Sequence, residues 1–582
     1  MADGTKAAEA TVAEHVARRS GDANRALVFE GRDWTWSQTV AQAAARASLL
    51  RLLRTETSVA QGPFHVGVLL DNVPEFVFVL LGAALGGATV VGLNSTRRGE
   101  ALATDIAHTD CAVVLTDTEH QGLLRDLEIA APVVTVEGAS YVESLARASE
   151  AALPELLPGP EALYLLLFTA GSTGAPKAVR MTQGRAARTA AAAARVFSPD
   201  DVLYCAMPLF HGNALVANLL PALIAGAAVV LKRRFSASEF GPDVRGHGCT
   251  YFNYVGRALS YVLAVPETPE DGDNQLRWAL GSEASPRDRA EFARRFRCPV
   301  FEGYGSSENA VVISPNPGAP PGALGRPAKG MDVAIVHPDT KAECPPAVLD
   351  GAGRLLNPAE AVGEIVGRST RADFEGYYNN PEAEAERTRN GWYWTGDLGY
   401  RDAEGYIYFA GRAADWLRVD GENFSAGAVD QILQRYPAAR GVAVYGVPDP
   451  VTGDQVMAAI EMADPDSFDP ADFAEFLAAQ ADLGPKWVPR FLRVVEALPV
   501  TGAGKLDKAP LRAEAWEAGN AVWWRPGKEL VFEPFTPSLG EDLRGRFEAA
   551  GRAHVAPMAP AGRLSRRPNG SPGEGAAAGA SR

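Results

Sequence analysis

Four short stretches of the chain gather the residue types that chemistry needs. The first, FTAGSTGAPKAV (Phe168–Val179), places Thr169, Ser172, Thr173, Gly174 and Lys177 between two apolar segments. Glycines let backbone N–H groups turn toward an anion, and the hydroxyls and the lysine add donors, so this run suits phosphate oxygens. It is not the P-loop of the common nucleoside triphosphatases, in which the second glycine stands directly before the lysine. Here Ala175 and Pro176 intervene, and Ala178 stands where a magnesium-binding hydroxyl would. The second stretch is FEGYGSSEN (Phe301–Asn309). Tyr304 offers a ring face to stack on a base, Ser307 a donor for phosphate, and Glu308 a hard oxygen for Mg²⁺. The third is WYWTGDLGYRDAEGYIYFAGR (Trp392–Arg412). Its Asp397 lies in a glycine-flanked turn where a carboxylate can accept hydrogen bonds from a ribose diol, and Arg412 is a planar five-donor cation suited to phosphate and ribose oxygens. The fourth, LPVTGAGKLDKAPLR, carries Lys505 on a glycine-flexed loop. Singly, each stretch also reads as an ordinary turn or a solvated lysine. Their order along one chain is what gives them weight.

Such residues need a frame. From about residue 10 to 412, short apolar strands such as HVGVLL, CAVVLT, DVLYCAM and PVFEGYG alternate with alanine-rich helices. That alternation predicts an α/β domain of layered sheets flanked by helices. The run FVFVLLGAALGGATVVGL (Phe76–Leu93) is long enough to suggest a membrane span. It reads better as an apolar helix broken at Gly86-Gly87 and followed by a β-branched strand. ALVANLLPALIAGAAVVLK repeats the plan, with Gly226 as the break. Residues 413–515 give helix, strand, strand and helix, a small α+β domain carrying Lys505. Residues 516–582 form an extension, expected to be largely disordered after about residue 535, where Gly, Ala, Pro, Ser and Arg come to dominate.

The totals exclude several classes. A chain of 582 residues is too long for one core. A net charge of −15 disfavours nucleic acid and anionic lipid as main partners. Five scattered cysteines show no zinc spacing and no disulfide framework, and the N-terminus lacks a basic segment followed by an apolar core. A cytoplasmic protein acting on small molecules, without an integral membrane segment, is the expectation.

Taken in order, these motifs resemble the adenylate-forming superfamily of acyl-CoA synthetases, adenylation domains and luciferases, over about residues 10 to 515. VYGVPDPVTGDQVMAAI, FEGYYNNPEAEAER and MPLFHGNAL look most like bacterial fatty-acid–CoA ligases of the very-long-chain and fatty-acid-transport type. The resemblance implies a large AMP-binding domain and a small mobile domain. It implies ATP and Mg²⁺ as cofactors and CoA as cosubstrate. A carboxylic acid, fatty or similarly apolar, would become an acyl-adenylate with release of pyrophosphate, and CoA would then displace AMP. By matched position, Ser172, Thr173 and Lys177 would contact the β- and γ-phosphates, with Thr169 and Gly174 in the same loop. Ser307 would contact the α-phosphate, Glu308 would bind Mg²⁺, and Tyr304 would stack on adenine. Glu283, in GSEAS, would lie in the adenine pocket, and Asp397 and Arg412 would bind ribose. Lys505 would bridge the carboxylate and the α-phosphate. His211 would stand at the entrance of the acyl pocket, with Asn213, Tyr254, Val255 and Gly256 along its walls. Gly421 would line a pantetheine tunnel.

The chain departs from the pattern at Ala170, where the loop usually has serine, and at Ala414, where the hinge is commonly Asp or Lys. Arg418 also replaces a common lysine in the segment after the hinge, and Asn423 a basic residue found in some relatives. These departures leave the adenylation half with more matching residues than the thioester half. Two other readings therefore stay open at this point. One keeps adenylation but changes the acid or acceptor, as in aryl acid ligases or nitrite-activating diazotases acting on an aromatic amine. The other is a non-catalytic nucleotide-binding relative, which would have no need of Lys177, Glu308, Asp397, Arg412 and Lys505 together.

Overall fold

The computed structural model describes residues 10–557 apart from 58–61, 149, 170–176, 317, 339, 352, 354, 369–373, 413–414, 420–421, 452, 481, 502–503, 519, 551 and 554–555. Two sheets built mainly of parallel strands form the frame of the large domain. One has seven strands in the order Val300–Glu302, Trp278–Ser282, Tyr251–Val255, Val202–Cys205, Ala228–Leu231, Arg25–Phe29 and Arg32–Thr35. All neighbours are parallel except the last pair, a hairpin at the edge. The other has six strands in the order Val133–Thr135, Val113–Thr116, His65–Leu69, Thr89–Gly92, Leu163–Thr169 and Lys177–Thr182. Here only the final pair is antiparallel.

The largest core cluster joins the two sheets. Leu27 and Val229 of one and Val66, Val90 and Leu165 of the other share it with helices Trp36–Glu56 and Pro74–Gly86. The helix Pro74–Gly86 is buried nearly all round, from Phe76 to Leu85. That explains why its sequence lacks a polar face. Gly87, at φ +72°, ends it in the left-handed conformation, and the strand Thr89–Gly92 follows. The apolar run from Phe76 is thus a core helix and a core strand. Among the described residues, no helix is long and apolar enough to cross a membrane.

A third, antiparallel sheet carries Asp397. Its order is Val333–Val336, Gly363–Gly367, Trp392–Arg401 and Thr388–Arg389, with Ile407–Arg412 pairing on Trp392–Arg401. All five cysteines are free thiols.

The small domain is a five-stranded sheet ordered Gly441–Pro448, Asp454–Glu461, Phe491–Val495, Val522–Trp524 and Glu533–Pro534. Period-two alternation sends Val442, Val444 and Val456 to one face, against helices Ala426–Leu433 and Pro470–Ala478. Tyr445, Val447 and Met457 go to the other, against helices Lys508–Glu514 and Pro537–Ala549. This corrects the expectation of disorder from about residue 535. The helix Pro537–Ala549 is capped by the Thr536 side chain and buries Leu543 and Phe547 in that second face. The small-domain core accordingly runs past residue 515 to include Trp516, Val522 and Phe532. Residues 558–582, expected to be disordered, lie outside the described residues.

Candidate active site

Strands of both parallel sheets end at one cleft of about 2950 Å³. Gly92, Phe168 and Thr169 reach it from the six-stranded sheet, and Val255, Ser282 and Glu302 from the seven-stranded one. Ligands of open α/β sheets bind outside the carboxyl ends of the strands, where this cleft lies. The small domain closes it with Lys505, Glu461 and Arg440.

The hairpin of Leu163–Thr169 and Lys177–Thr182 sets Thr169 opposite Lys177. Lys177 is only 3% exposed, and its Nζ lies 3.6 Å from the Glu386 carboxylate. Between the two strands, Ala170, Ser172, Thr173 and Gly174 lie outside the described residues.

Tyr304 follows the strand Val300–Glu302 and donates its phenolic hydrogen to Asp397 Oδ2 at 2.6 Å. Burial, then the Asp397 charge, pushes that phenol well above its usual range, so it remains a donor at neutral pH. The backbone of Asp397 pairs in register with that of Arg412, which brings two residues fifteen apart in sequence to adjacent strands. Glu308 is 7% exposed, lines the cleft and accepts from the Tyr377 hydroxyl at 2.8 Å. Ser307 also lines the cleft, and its carbonyl accepts from Arg185 Nη2 at 2.8 Å.

Glu283 sits just past the strand Trp278–Ser282 at φ +71°, and its Oε1 accepts from Lys505 Nζ at 2.6 Å. The loop presenting Lys505 is closed by Thr501 N–H to the Lys505 carbonyl at 2.7 Å and Gly504 N–H to the Thr501 carbonyl at 2.8 Å. It rests on Gly256. A Cβ there would stand 2.2 Å from the Gly504 carbonyl oxygen, and φ is +62°, so only glycine fits.

The acyl-side residues divide. His211, Asn213, Val255 and Gly256 line the cleft. Burial, then the nearby Lys505 charge, pushes the His211 imidazole down to about 4, so the ring is neutral at pH 7. Asn218 donates to Asn253 Oδ1 and Asn253 donates to Asn213 Oδ1, both at 2.6 Å, holding Asn213 in place. Tyr254 is a correction. Strand alternation turns it away from the cleft into the cluster with Phe252 and Phe292, where its hydroxyl donates to Glu302 Oε1 at 3.3 Å. Gly421 and Ala414 lie outside the described residues.

Several residues have no signal in the sequence. Arg185 is buried in an alanine-rich helix, where nothing distinguishes it from a surface arginine. Asn253, Tyr377 and Glu386 reach the site only through the fold.

A cleft of this size, with buried Lys177 at one side, Tyr304 and Asp397 at another and a lysine delivered by a second domain, has the parts of a nucleotide-dependent transferase or ligase. The comparisons place it. The AMP-binding enzyme family matches residues 13–378, and the AMP-binding enzyme C-terminal domain matches residues 428–505. The chain belongs to the AMP-binding enzyme family. It is 50% identical over 550 residues, covering 93% of this chain and 98% of the relative, to a steroid-22-oyl-CoA synthetase of Rhodococcus jostii. It is 43% identical over 518 residues, 88% and 98% of the two chains, to a medium/long-chain-fatty-acid–CoA ligase of Mycobacterium tuberculosis. A solved anthranilate CoA ligase in complex with anthranoyl-AMP has the same fold, with a TM-score of 0.77 at 23% identity over 89% of this chain and 99% of that one. The protein is an AMP-forming ligase of the acyl-CoA synthetase type. It activates an acid as its adenylate and passes the acyl group to CoA.

Proposed function

We propose that the acid is a bulky apolar carboxylate of the steroid side-chain type. The observation that carries this is the 50% identity, over nearly the whole of both chains, to a relative named for steroid-22-oyl-CoA synthesis, above the 43% to a fatty-acid ligase. The cleft is compatible with a wide acid. Its lining includes the small or apolar Ala192, Ala193, Val216, Ala217, Leu263 and Ala264, interspersed with polar groups such as Arg188 and Thr189. From the helix Gln183–Ala194, the small side chains of Ala192 and Ala193 face the cleft beside Arg185, Arg188 and Thr189, while Ala186, Ala187 and Ala190 pack in the core.

The residue roles belong to the same proposal. Ser172, Thr173, Gly174 and Lys177 hold the pyrophosphate end of ATP, with Thr169 at the loop's base. Tyr304 stacks on adenine beside Glu283, and Asp397 and Arg412 bind ribose. The bond between Tyr304 and Asp397 makes the stacking ring and the ribose acceptor one rigid unit. The acid carboxylate attacks the α-phosphorus in line and pyrophosphate leaves, while negative charge builds on phosphate oxygens. Ser307 and Lys505 offset that charge with donors already in place. Glu308 would supply one hard oxygen to a Mg²⁺ ion, which the chemistry of its carboxylate fits. When bound, the ion neutralises the charge of the leaving pyrophosphate. His211, Asn213, Val255 and Gly256 flank the carboxylate end of the acid. Because it is neutral, His211 adds no charge to compete with Lys505 for that carboxylate. The CoA thiol then displaces AMP, entering past Gly421. With five reduced thiols, the reading extends to an enzyme of the cytoplasm.

The test is kcat/KM for a steroid-22-oic acid against dodecanoic acid, with ATP, Mg²⁺ and CoA. The steroid acid is expected to lead by at least about tenfold. A ratio reversed in favour of dodecanoate would overturn the assignment.

A further inference from the structure

Resting on the two-step reading above, the geometry points to Arg257 and Glu461 as the clamp that holds the small domain in its adenylate-forming position. Arg257 directly follows Gly256 on the cleft wall of the large domain, and Glu461 ends the strand Asp454–Glu461 of the small domain. The guanidinium grips the carboxylate with both terminal nitrogens, Nη2 donating to Oε1 at 2.5 Å and Nη1 donating to Oε2. Oε2 also accepts from the Leu498 N–H at 2.7 Å. The side chains are 14% and 8% exposed. By contrast, the Lys505–Glu283 contact is 37% and 34% exposed.

Exposure decides which contact holds the domain. An exposed pair adds little to stability. A buried bidentate pair has strong directional preference, and loss of one partner strands a charge away from water. The clamp also adjoins the chemistry, because Gly256 and Gly504 pack against each other one residue from Arg257 and Lys505 respectively. When the small domain turns to admit CoA, both charges return to water together, so the pair releases at far lower cost than truncation of one partner imposes. Arg257 and Glu461 are therefore positioning residues. They set where Lys505 stands and touch no reacting atom.

The test uses the full-length protein and separates the half-reactions. ATP–pyrophosphate exchange with a steroid-22-oic acid or dodecanoic acid reports adenylation. Thioester formation from supplied synthetic acyl-adenylate and CoA reports the second step. Glu461→Gln is expected to slow exchange by at least about tenfold while the second step holds or quickens. Arg257→Glu combined with Glu461→Arg should recover part of the loss. Amide hydrogen exchange without any substrate gives a readout independent of the acid. Protection at residues 254–257 and 498–506 should fall in Glu461→Gln, while the small-domain core stays protected. If Glu461→Gln disturbs that core, Arg257→Met tests the clamp from the large-domain side. Equal slowing of both steps, or unchanged protection at the two segments, overturns the clamp. Altered protection in an enzyme whose parent turns over no acid leaves the clamp standing and defeats the ligase reading instead.

Discussion

At the scale of single residues, the site depends on a few charges placed before the substrates arrive. On the role proposed for it, Lys505 donates to charge developing in adenylation, so Lys505→Ala should lower adenylate formation by at least about 100-fold without changing the melting temperature. Pyrophosphate exchange beside a thermal melt checks this, and exchange at the parent rate would remove Lys505 from the chemistry. Glu308→Gln should raise the Mg²⁺ concentration needed for half-maximal exchange while sparing the fold, read as a Mg²⁺ titration at fixed ATP. His211 carries a pH prediction. Its folded value of about 4 lies below the 6.5 of the free side chain. Between these values the unfolded chain binds a proton that the fold does not, so acidification through that window destabilises the protein, and the contribution is intact above it. His211→Gln should flatten the fall of melting temperature between pH 6.5 and 4. In the parent, the His211 ring resonance should not titrate between about pH 5 and 8. Lys177, Tyr304, Glu308, Asp397 and Lys505 were legible in the sequence because each sits in a motif rich in glycine or hydroxyl groups. Arg257, Glu461, Arg185 and Asn253 were not, because each takes its partner from a residue remote in the chain, and no local spacing marks such a pair.

At the scale of elements, hydrophobic pattern made the frame legible, while motif position and averaged composition each misled once. The helix and strand of the Phe76–Leu93 run were legible because β-branched residues follow a glycine break. Tyr254 was misplaced because matched motif position does not say which face of a strand a residue takes. Its neighbours Phe252 and Val255 settle the matter by alternation. The extension was misjudged because its composition was averaged. Alanine, glycine, arginine, proline and serine dominate overall, yet Leu543 and Phe547 fall four apart on one face of the helix Pro537–Ala549. Phe547→Ala should destabilise the small domain by about 3–5 kcal/mol. Calorimetry should show its transition fall while that of the large domain holds. Unchanged melting would mean the helix is not part of that core.

At the scale of the whole molecule, the cleft exists only because two domains meet. The large domain supplies Lys177, Tyr304, Glu308 and Asp397, and the small domain supplies Lys505. One cleft thereby serves two chemical steps in turn, provided the small domain can leave. The departures at Ala414, Arg418 and Asn423 argued from sequence for a weaker thioester half, whereas the relatives most similar over the full length are CoA ligases. The measurement closest to the central claim is a single-turnover reaction with a steroid-22-oic acid, ATP and Mg²⁺, first without CoA and then with it. The account predicts a burst of pyrophosphate matched one-to-one by enzyme-held acyl-adenylate, then release of AMP and thioester when CoA is added. Release of ADP and phosphate, or thioester formed with no adenylate preceding it, would contradict it.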